Sequence, residues 1–534
     1  MRLTRFKVEN HGRLSDLEIE VREHLVLVGA NDVGKSSFLR CLDLILGAST
    51  ARLYAAITAA DFRDPGQPFV VEVDLEDFNV VDLALFPDEI SVNPNDGNSK
   101  LTIRLFAEID DSETISIMRS APSAGSTRQL SRDQVLGLGW KFLSANSQTR
   151  ELREDRKSPL AEILAAVDLG VEKPKFEAIT TALTTTLGES AVLGTLRSDL
   201  AGQLSKALPE LLAKDDLTLI PGASADNDVL SDVRLQVAKA GVPRDLSEQS
   251  DGMKALFAIA FYDLISGVAN VVGIDEPEVH LHPTSQRSLA RLLRDRPNQK
   301  IIATHSSDIV SAFDPDSIVV VRQGGNVVQP AAGFLSTEEK LVASWWVRGR
   351  LEPLTSRRAI AVEGASDRII VERAADLTGR NLDRLGVSLV DAGGKNSMSL
   401  VEKLFGAAGF NVPLSILVDE DAETAAARRH GIPTADLPTR SIWISRTDLE
   451  DEYVRALGAA QVWEAFSSST LFSARQLSKV SPSGPDGALT TQDVAAFCRN
   501  NKVEAALVVA EFLTEETARA IASVESVLAE AAGA

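Results

Sequence analysis

At 534 residues the chain is too long to close around one core, so two or three domains are expected. Its 44% apolar and 25% charged residues exclude a disordered chain, and no apolar run approaches the roughly 20 residues that span a bilayer. A net charge of −21 excludes adhesion to nucleic acid through the whole surface, leaving open a local basic groove from Arg287, Arg291, Arg294 and Lys300, or from Arg348, Arg350, Arg357 and Arg358. The two cysteines, Cys41 and Cys498, have no metal-ligand spacing. The opening Met1–Phe6 lacks the apolar segment of a signal peptide, so a reducing, cytoplasmic setting is expected.

In chain order, Leu3–Val8 and Leu17–Val21 alternate as strands, and Leu25–Val28 is a short buried run. A helix is predicted from Lys35 to about Leu46, with Gly47 as its C-cap. Phe69–Leu75 and Leu101–Ile109 alternate as a half-buried antiparallel sheet would. Residues 143–158 are polar and charged and read as a surface transition. From Pro159 to about Leu212 the pattern is helical and rich in Ala and Leu, broken at Gly170–Pro174, as an inserted arm would be. An α/β pattern resumes at Leu217, and a fresh strand begins at Ala359. The expected boundaries are 1–158 and 216–345 for the two parts of one α/β domain, 159–215 for the arm, and 355–534 for a second α/β domain.

Gly29-Ala30-Asn31-Asp32-Val33-Gly34-Lys35-Ser36 fits the phosphate-loop pattern between a strand and a helix. Its glycines let backbone N–H groups surround phosphates at a helix N-terminus. Gly29, Asn31, Gly34, Lys35, Ser36 and Ser37 are the candidate nucleotide contacts, with Lys35 reaching the β/γ-phosphates and Ser36 ligating Mg²⁺. The strand Val271–Ile274 ends in Asp275, placed to hold Mg²⁺ through water, and Glu276, placed to orient an attacking water. The strand Ile301–Thr304 ends in His305, a candidate γ-phosphate sensor. Leu246-Ser247-Glu248-Gln249-Ser250-Asp251-Gly252 precedes a helix and could present N–H groups, Ser250 and Gly252 included, to a phosphate. His280 and His282 read as packing or hydrogen-bonding residues.

A second acidic group follows. Glu363 stands at the carboxyl end of the strand Ala359–Val362, where ligands bind in open α/β sheets, and Asp367 lies in the first turn of the next helix. Asp419 ends the strand Leu414–Val418; if the chain stays extended, Asp421 points the same way. Such carboxylates suit one or two Mg²⁺ ions, with Mn²⁺ or Ca²⁺ as substitutes. Two ions about 4 Å apart can stabilise the attacking and leaving oxygens of a phosphodiester displacement.

Residues 1–340, apart from the arm, resemble an ABC-type ATPase head of the kind shared by SMC-like and recombination-type DNA proteins. Leu246–Gly252 stands where that family carries LSGGQ and departs from it. No Q-loop glutamine is evident, and Asp61-Phe62 sits in the corresponding region. The resemblance implies ATP as cofactor and a homodimer or higher oligomer. The Glu-Gly and Asp-x-Asp strand ends resemble a Toprim domain. The two in this order resemble the OLD (overcoming lysogenization defect) endonucleases, the family that includes the Gabija nuclease subunit. That resemblance implies an α/β fold in which an ABC-type ATPase domain with an inserted helical arm precedes a Toprim domain. It implies Glu363, Asp367, Asp419, Asp421 and Glu450 as metal ligands, and Lys502, with Lys479 as rival, as the catalytic lysine. Double-stranded DNA as substrate, a helicase or other defence-system partner and an antiphage role are implied in the same way. A Toprim topoisomerase is disfavoured because Tyr54, Tyr262 and Tyr453 lie in no recognisable tyrosine module, and a primase because no zinc-binding module is visible. The alternative is an SMC-like DNA-binding ATPase clamp whose Toprim domain serves assembly.

Overall fold

The computed structural model describes residues 1–92, 97–122, 128–144, 170–195, 198, 236–239, 242–245, 269–279, 281–295, 298–347, 351–394 and 397–533. The segment Leu246–Gly252, with Ser250 and Gly252, and much of the expected arm lie outside them, as do Tyr262, His280, Arg348 and Arg350. Within the arm region a helix covers Lys173–Glu189.

Alternation in the first hundred residues produces an antiparallel sheet in the order Leu17–Glu20, Arg2–Glu9, Phe69–Glu76, Ser99–Ile109. Its apolar face covers the helix Lys35–Leu46, with the rings of Phe6 and Phe38 at 4.2 Å. Its other face pairs charges across strands: Glu72 receives Arg5 and Arg104, each at 2.7 Å. At the far end of the helix the guanidinium of buried Arg119 donates to the carbonyls of Leu44, Ile45 and Ala48. A cation is thereby set on the negative end of the helix whose positive end faces the phosphate loop.

A second, mainly parallel sheet runs in the order Val327–Val328, Ile318–Val321, Leu25–Val28, Gln299–Ala303, Val271–Asp275, Trp140–Ser144. The phosphate loop, Asp275 and His305 all lie at or just beyond carboxyl ends of these strands. The edge strand Trp140–Ser144 corrects the reading of residue 143 as surface: Leu143 is buried and pairs with Ile274.

Four parallel strands form a third sheet, in the order Val387–Asp391, Arg358–Val362, Leu414–Asp419, Ile442–Ser445. Helices, including Ala365–Leu377, Leu449–Leu457 and Lys502–Phe512, bury one of its faces. The second and third sheets share one apolar core, which runs from Val26 and Ile318 to Phe410 and Ile416. Arg322 crosses this junction, donating from one Nη2 to the carbonyls of Phe410 at 2.7 Å and Asn411 at 2.8 Å.

The starts of the three site-bearing strands converge on Glu530 in the helix Ala522–Ala531. Its carboxylate accepts from Ser415 Oγ at 3.1 Å, Trp443 Nε1 at 2.8 Å, Arg358 at 3.2 Å and the Ser441 hydroxyl. Burial alone would raise the Glu530 pKa, but the bonds from Ser441, Trp443 and Ser415 pull it below the usual carboxylate range. Its stabilisation is therefore present above the unfolded-state pKa and fades as pH falls through the lower folded value. Glu530→Ala, which strands several donors, should cost about 2 kcal/mol. Thermal melting of the full chain at neutral pH checks this, and the gap between wild type and variant should narrow in acid.

Candidate functional site

The phosphate loop leaves Val28 and enters its helix through Gly34, whose φ of 112° is a left-handed range that favours glycine. A Cβ on Gly29 would stand 2.3 Å from the carbonyl oxygen of Val321, so the loop and that strand end touch backbone to backbone. Beside the loop is a cavity of about 450 Å³, lined by Asn31, Lys35, Ser36, Glu276, Glu278 and His305 among others. Ser37, the last of the sequence candidates here, also lines it.

Lys35 Nζ donates to the carbonyls of Gly29 at 3.1 Å and Ala30 at 2.8 Å and lies 2.8 Å from His305 Nε2. Burial depresses the pKa of His305, with further help from Lys35, so a neutral ring accepts from the ammonium. Burial likewise lowers Lys35 and raises Asp275. Ser36 lies close enough to Asp275 to offset part of the rise that burial causes, and Asp275 Oδ1 is buried without a hydrogen-bond partner. An orphaned carboxylate oxygen beside a hydroxyl fits Mg²⁺ carried in with a nucleotide. Glu276 has φ 49° and places Oε1 3.7 Å from His305 Nε2. Asp61 does not face this site; it pairs with Arg40 and caps Thr58. His282 caps the helix Pro283–Arg294, in keeping with a hydrogen-bonding role.

At the third sheet, Glu363 follows its strand and accepts the Asp419 N–H at 3.1 Å. Gly364 is extended, with open space around its Cα, so the turn does not depend on glycine's left-handed range. Asp367 accepts from the Gly364 N–H at 3.0 Å, and Asp419 from the Leu449 N–H at 3.2 Å. Burial, reinforced by Glu363, Asp367 and Glu450, pushes Asp419 up to about 8; burial and Glu450 push Asp367 up to about 6. These shifts are the mark of like charges gathered out of water.

Acids occupy positions 448 and 450–452 on either side of Leu449, and their partners tell them apart. Asp448 caps the helix Leu449–Leu457 and holds Arg499 at 3.1 Å. Asp451 pairs with Arg455, and Glu452 accepts from Ser523 Oγ at 2.7 Å and Arg446 N–H at 2.8 Å. Glu450 is buried, and neither carboxylate oxygen has a hydrogen bond; Oε1 lies 3.3 Å from Lys502 Nζ in an ion pair. Burial would lower Lys502, but Glu450, Asp367 and Asp419 outweigh it and raise its pKa. Lys479 is exposed on the turn after Ala474–Leu477.

The extended course expected beyond Asp419 is corrected. A helix starts at Glu420, so Asp421 is exposed in its first turn rather than on the same edge as Asp419. Among the described residues, several members of the basic clusters are engaged locally. Arg287 pairs with Asp308, Arg294 with Asp295 and Arg358 with Glu530, while Lys300 is buried. Two further acids carry no expectation from the sequence. Asp391 ends the strand beside Val362, and Glu278 lies in the cavity wall. For both, the available signal is an acid at or just after an apolar run.

Among the described residues no three metal-ligating side chains already enclose one point. The donor set still fits a hard cation: one buried and one half-buried carboxylate with raised pKa values, beside a buried one that lacks any hydrogen bond, are the groups a divalent ion would satisfy. Tyr453 is buried in the core and presents no nucleophile to this site.

The family described as AAA domain, putative AbiEii toxin, type IV TA system matches residues 25–311. The Toprim domain of overcoming lysogenization defect-like proteins matches residues 354–421. The OLD nuclease of Thermus scotoductus is 23% identical over 451 residues, which cover 78% of this chain and 82% of that protein. Endonuclease GajA of Bacillus cereus is 19% identical over 441 residues, covering 74% and 71%. The chain thus belongs to the AAA-domain ATPase family and joins to that domain an OLD-like Toprim domain.

Proposed function

We propose that the chain is an ATP-binding, Mg²⁺-dependent DNA endonuclease whose Toprim acids cut or nick the backbone under the control of the ATPase domain. The observation that carries this reading is the group of buried Asp367 and Glu450 with half-buried Glu363 and Asp419 beside Lys502, a surplus of carboxylate that a divalent cation would neutralise. Bound ions would supply charge stabilisation for the attacking and leaving oxygens of the phosphodiester. Lys502 would stabilise charge growing on the scissile phosphate, and its ion pair with Glu450 keeps it protonated for that task. Similarity to proteins named as nucleases supports the same reading. Double-stranded DNA as substrate, a dimer of heads around ATP, Mn²⁺ as a substitute and an antiphage role belong to the proposal, as do Asp421 as a metal ligand and the domain boundaries given above.

The second reading is an SMC-like ATPase clamp with a non-catalytic Toprim domain. It is favoured by the fact that no three of the described acids converge on one point.

Supercoiled plasmid incubated with the full chain and Mg²⁺ or Mn²⁺ should be nicked by wild type and left intact by Asp419→Ala. Intact plasmid under every metal and nucleotide condition, with ATP hydrolysis retained, would establish the clamp instead. Independently of activity, Asp419→Asn should raise the melting temperature of the metal-free protein by relieving like-charge repulsion. The same variant should lose the further rise that wild type shows on adding Mg²⁺. At the other site, Glu276→Gln should slow ATP hydrolysis about a hundredfold. Cleavage by that variant should still respond to ATP, as expected if the nucleotide is sensed rather than consumed to drive cutting.

A further inference from the structure

The nucleotide cavity contains a carboxylate whose work is done on the protein itself. Glu278, two residues after Glu276, turns back from the wall of the cavity toward the end of the neighbouring strand. Its Oε2 accepts from the Thr304 hydroxyl at 2.8 Å and its Oε1 from the His305 backbone N–H. Thr304 is fully buried, and its oxygen accepts from the Ser306 N–H at 2.9 Å. Ser306 Oγ in turn donates to Gln286 Oε1 at 2.6 Å, and Gln286 Nε2 donates to the Leu281 carbonyl at 2.9 Å. The loops that follow Val271–Asp275 and Gln299–Ala303 are thereby joined through side chains as well as by the Glu276 N–H on the Ala303 carbonyl at 2.8 Å.

We infer that Glu278 is a positioning residue that fixes the backbone of His305, so that the imidazole stays at the cavity when Lys35 leaves it for a phosphate. Lys35 Nζ rests on His305 Nε2 and on two loop carbonyls. A triphosphate in the loop would draw that ammonium away. His305 then loses the contact on its ring, and the bond its N–H donates to Glu278 holds its main chain. Glu276, by contrast, aims its carboxylate at the ring rather than at the backbone, 3.7 Å from Nε2. The two glutamates flanking Pro277 therefore divide the labour: one faces the reacting phosphate, the other sets the residue that senses it.

This inference rests on the reading of the ATPase domain as a site where ATP is bound and hydrolysed, and its test separates the two. Wild type, Glu278→Ala and Glu278→Gln are compared as full chains for kcat and KM of ATP hydrolysis, for affinity toward a fluorescent ATP analogue and for melting temperature. Histidine-ring NMR signals are followed on adding a non-hydrolysable ATP analogue, with His305→Gln assigning the resonance. Glu278→Ala should lower kcat about tenfold or more while affinity changes less than about threefold, because a displaced group costs rate rather than binding. Glu278→Gln should restore kcat to within about threefold, since its amide can accept from the His305 N–H and donate to the Thr304 oxygen. The His305 signal should shift with the analogue in wild type and Glu278→Gln and fail to reach that position in Glu278→Ala.

Wild-type kcat in Glu278→Ala would overturn the inference. So would a Gln variant as inactive as the Ala variant, which would make the carboxylate itself chemical. A parallel loss of affinity, kcat and melting temperature would reduce Glu278 to a structural residue. If wild type binds ATP without hydrolysing it, the hydrolase reading fails on its own. The histidine signal then decides: a shift retained in Glu278→Ala overturns the positioning role, and a shift lost only there supports it.

Discussion

Parallel strands that end side by side force their terminal acids together, and in the Toprim sheet this constraint is paid for at the opposite edge. Glu363 follows one strand and Asp419 ends the adjacent one, and buried Glu450 and Asp367 are brought up by helices, so repulsion accumulates at that end of the sheet. Among the described residues, Lys502, the Ser366 hydroxyl and a few backbone N–H groups oppose it at that end. The starts of the same strands are tied through Arg358, Ser415, Ser441 and Trp443 to the one carboxylate of Glu530. Strand register is thus fixed by hydrogen bonds at one edge, which lets the other edge hold a charge arrangement that would otherwise spread apart.

The same logic of adjacent strand ends links the two halves of the chain. Val321 closes a strand of the ATPase sheet, and its carbonyl packs against Gly29 at the mouth of the phosphate loop. The next residue, Arg322, donates to Phe410 and Asn411, just before the strand that ends in Asp419. A short backbone path therefore runs from one candidate site to the other through an apolar core common to both sheets. Such continuity becomes coupling only where both sites bias one element with two arrangements. On the inference above, an exchange of Lys35 between His305 and a phosphate would be such a choice at the nucleotide end.

How much of this is legible in the sequence depends on whether the signal is local. The phosphate loop and its helix are readable because strand, glycines, lysine and helix are contiguous in the chain, and the helix spans Lys35–Leu46 as its pattern predicts. Glu363 and Asp419 are readable as acids closing apolar runs. The strand Trp140–Ser144 is not, because its partner Val271–Asp275 lies far along the chain and its own sequence alternates weakly. Period-two reasoning places Asp421 beside Asp419, but the helix beginning at Glu420 replaces that period with another. Within Asp448–Glu452 the resemblance points to Glu450, whereas residue type and spacing alone offer four acids; the partners Arg499, Arg455 and Ser523 engage the other three.

Charge bears on the order of events at the proposed nuclease site. Several of the arginines that could have formed a basic groove are matched to acids, and the chain carries a net charge of −21. Without cations, the field at Asp419 is set by three other carboxylates against one lysine. A phosphodiester approaching that field would be repelled, whereas a divalent cation would be attracted and would invert it. On the proposed reading, metal must therefore enter before or together with the DNA backbone. The carboxylates then serve two ends with one arrangement: they gather the cations, and until cations arrive they exclude the substrate.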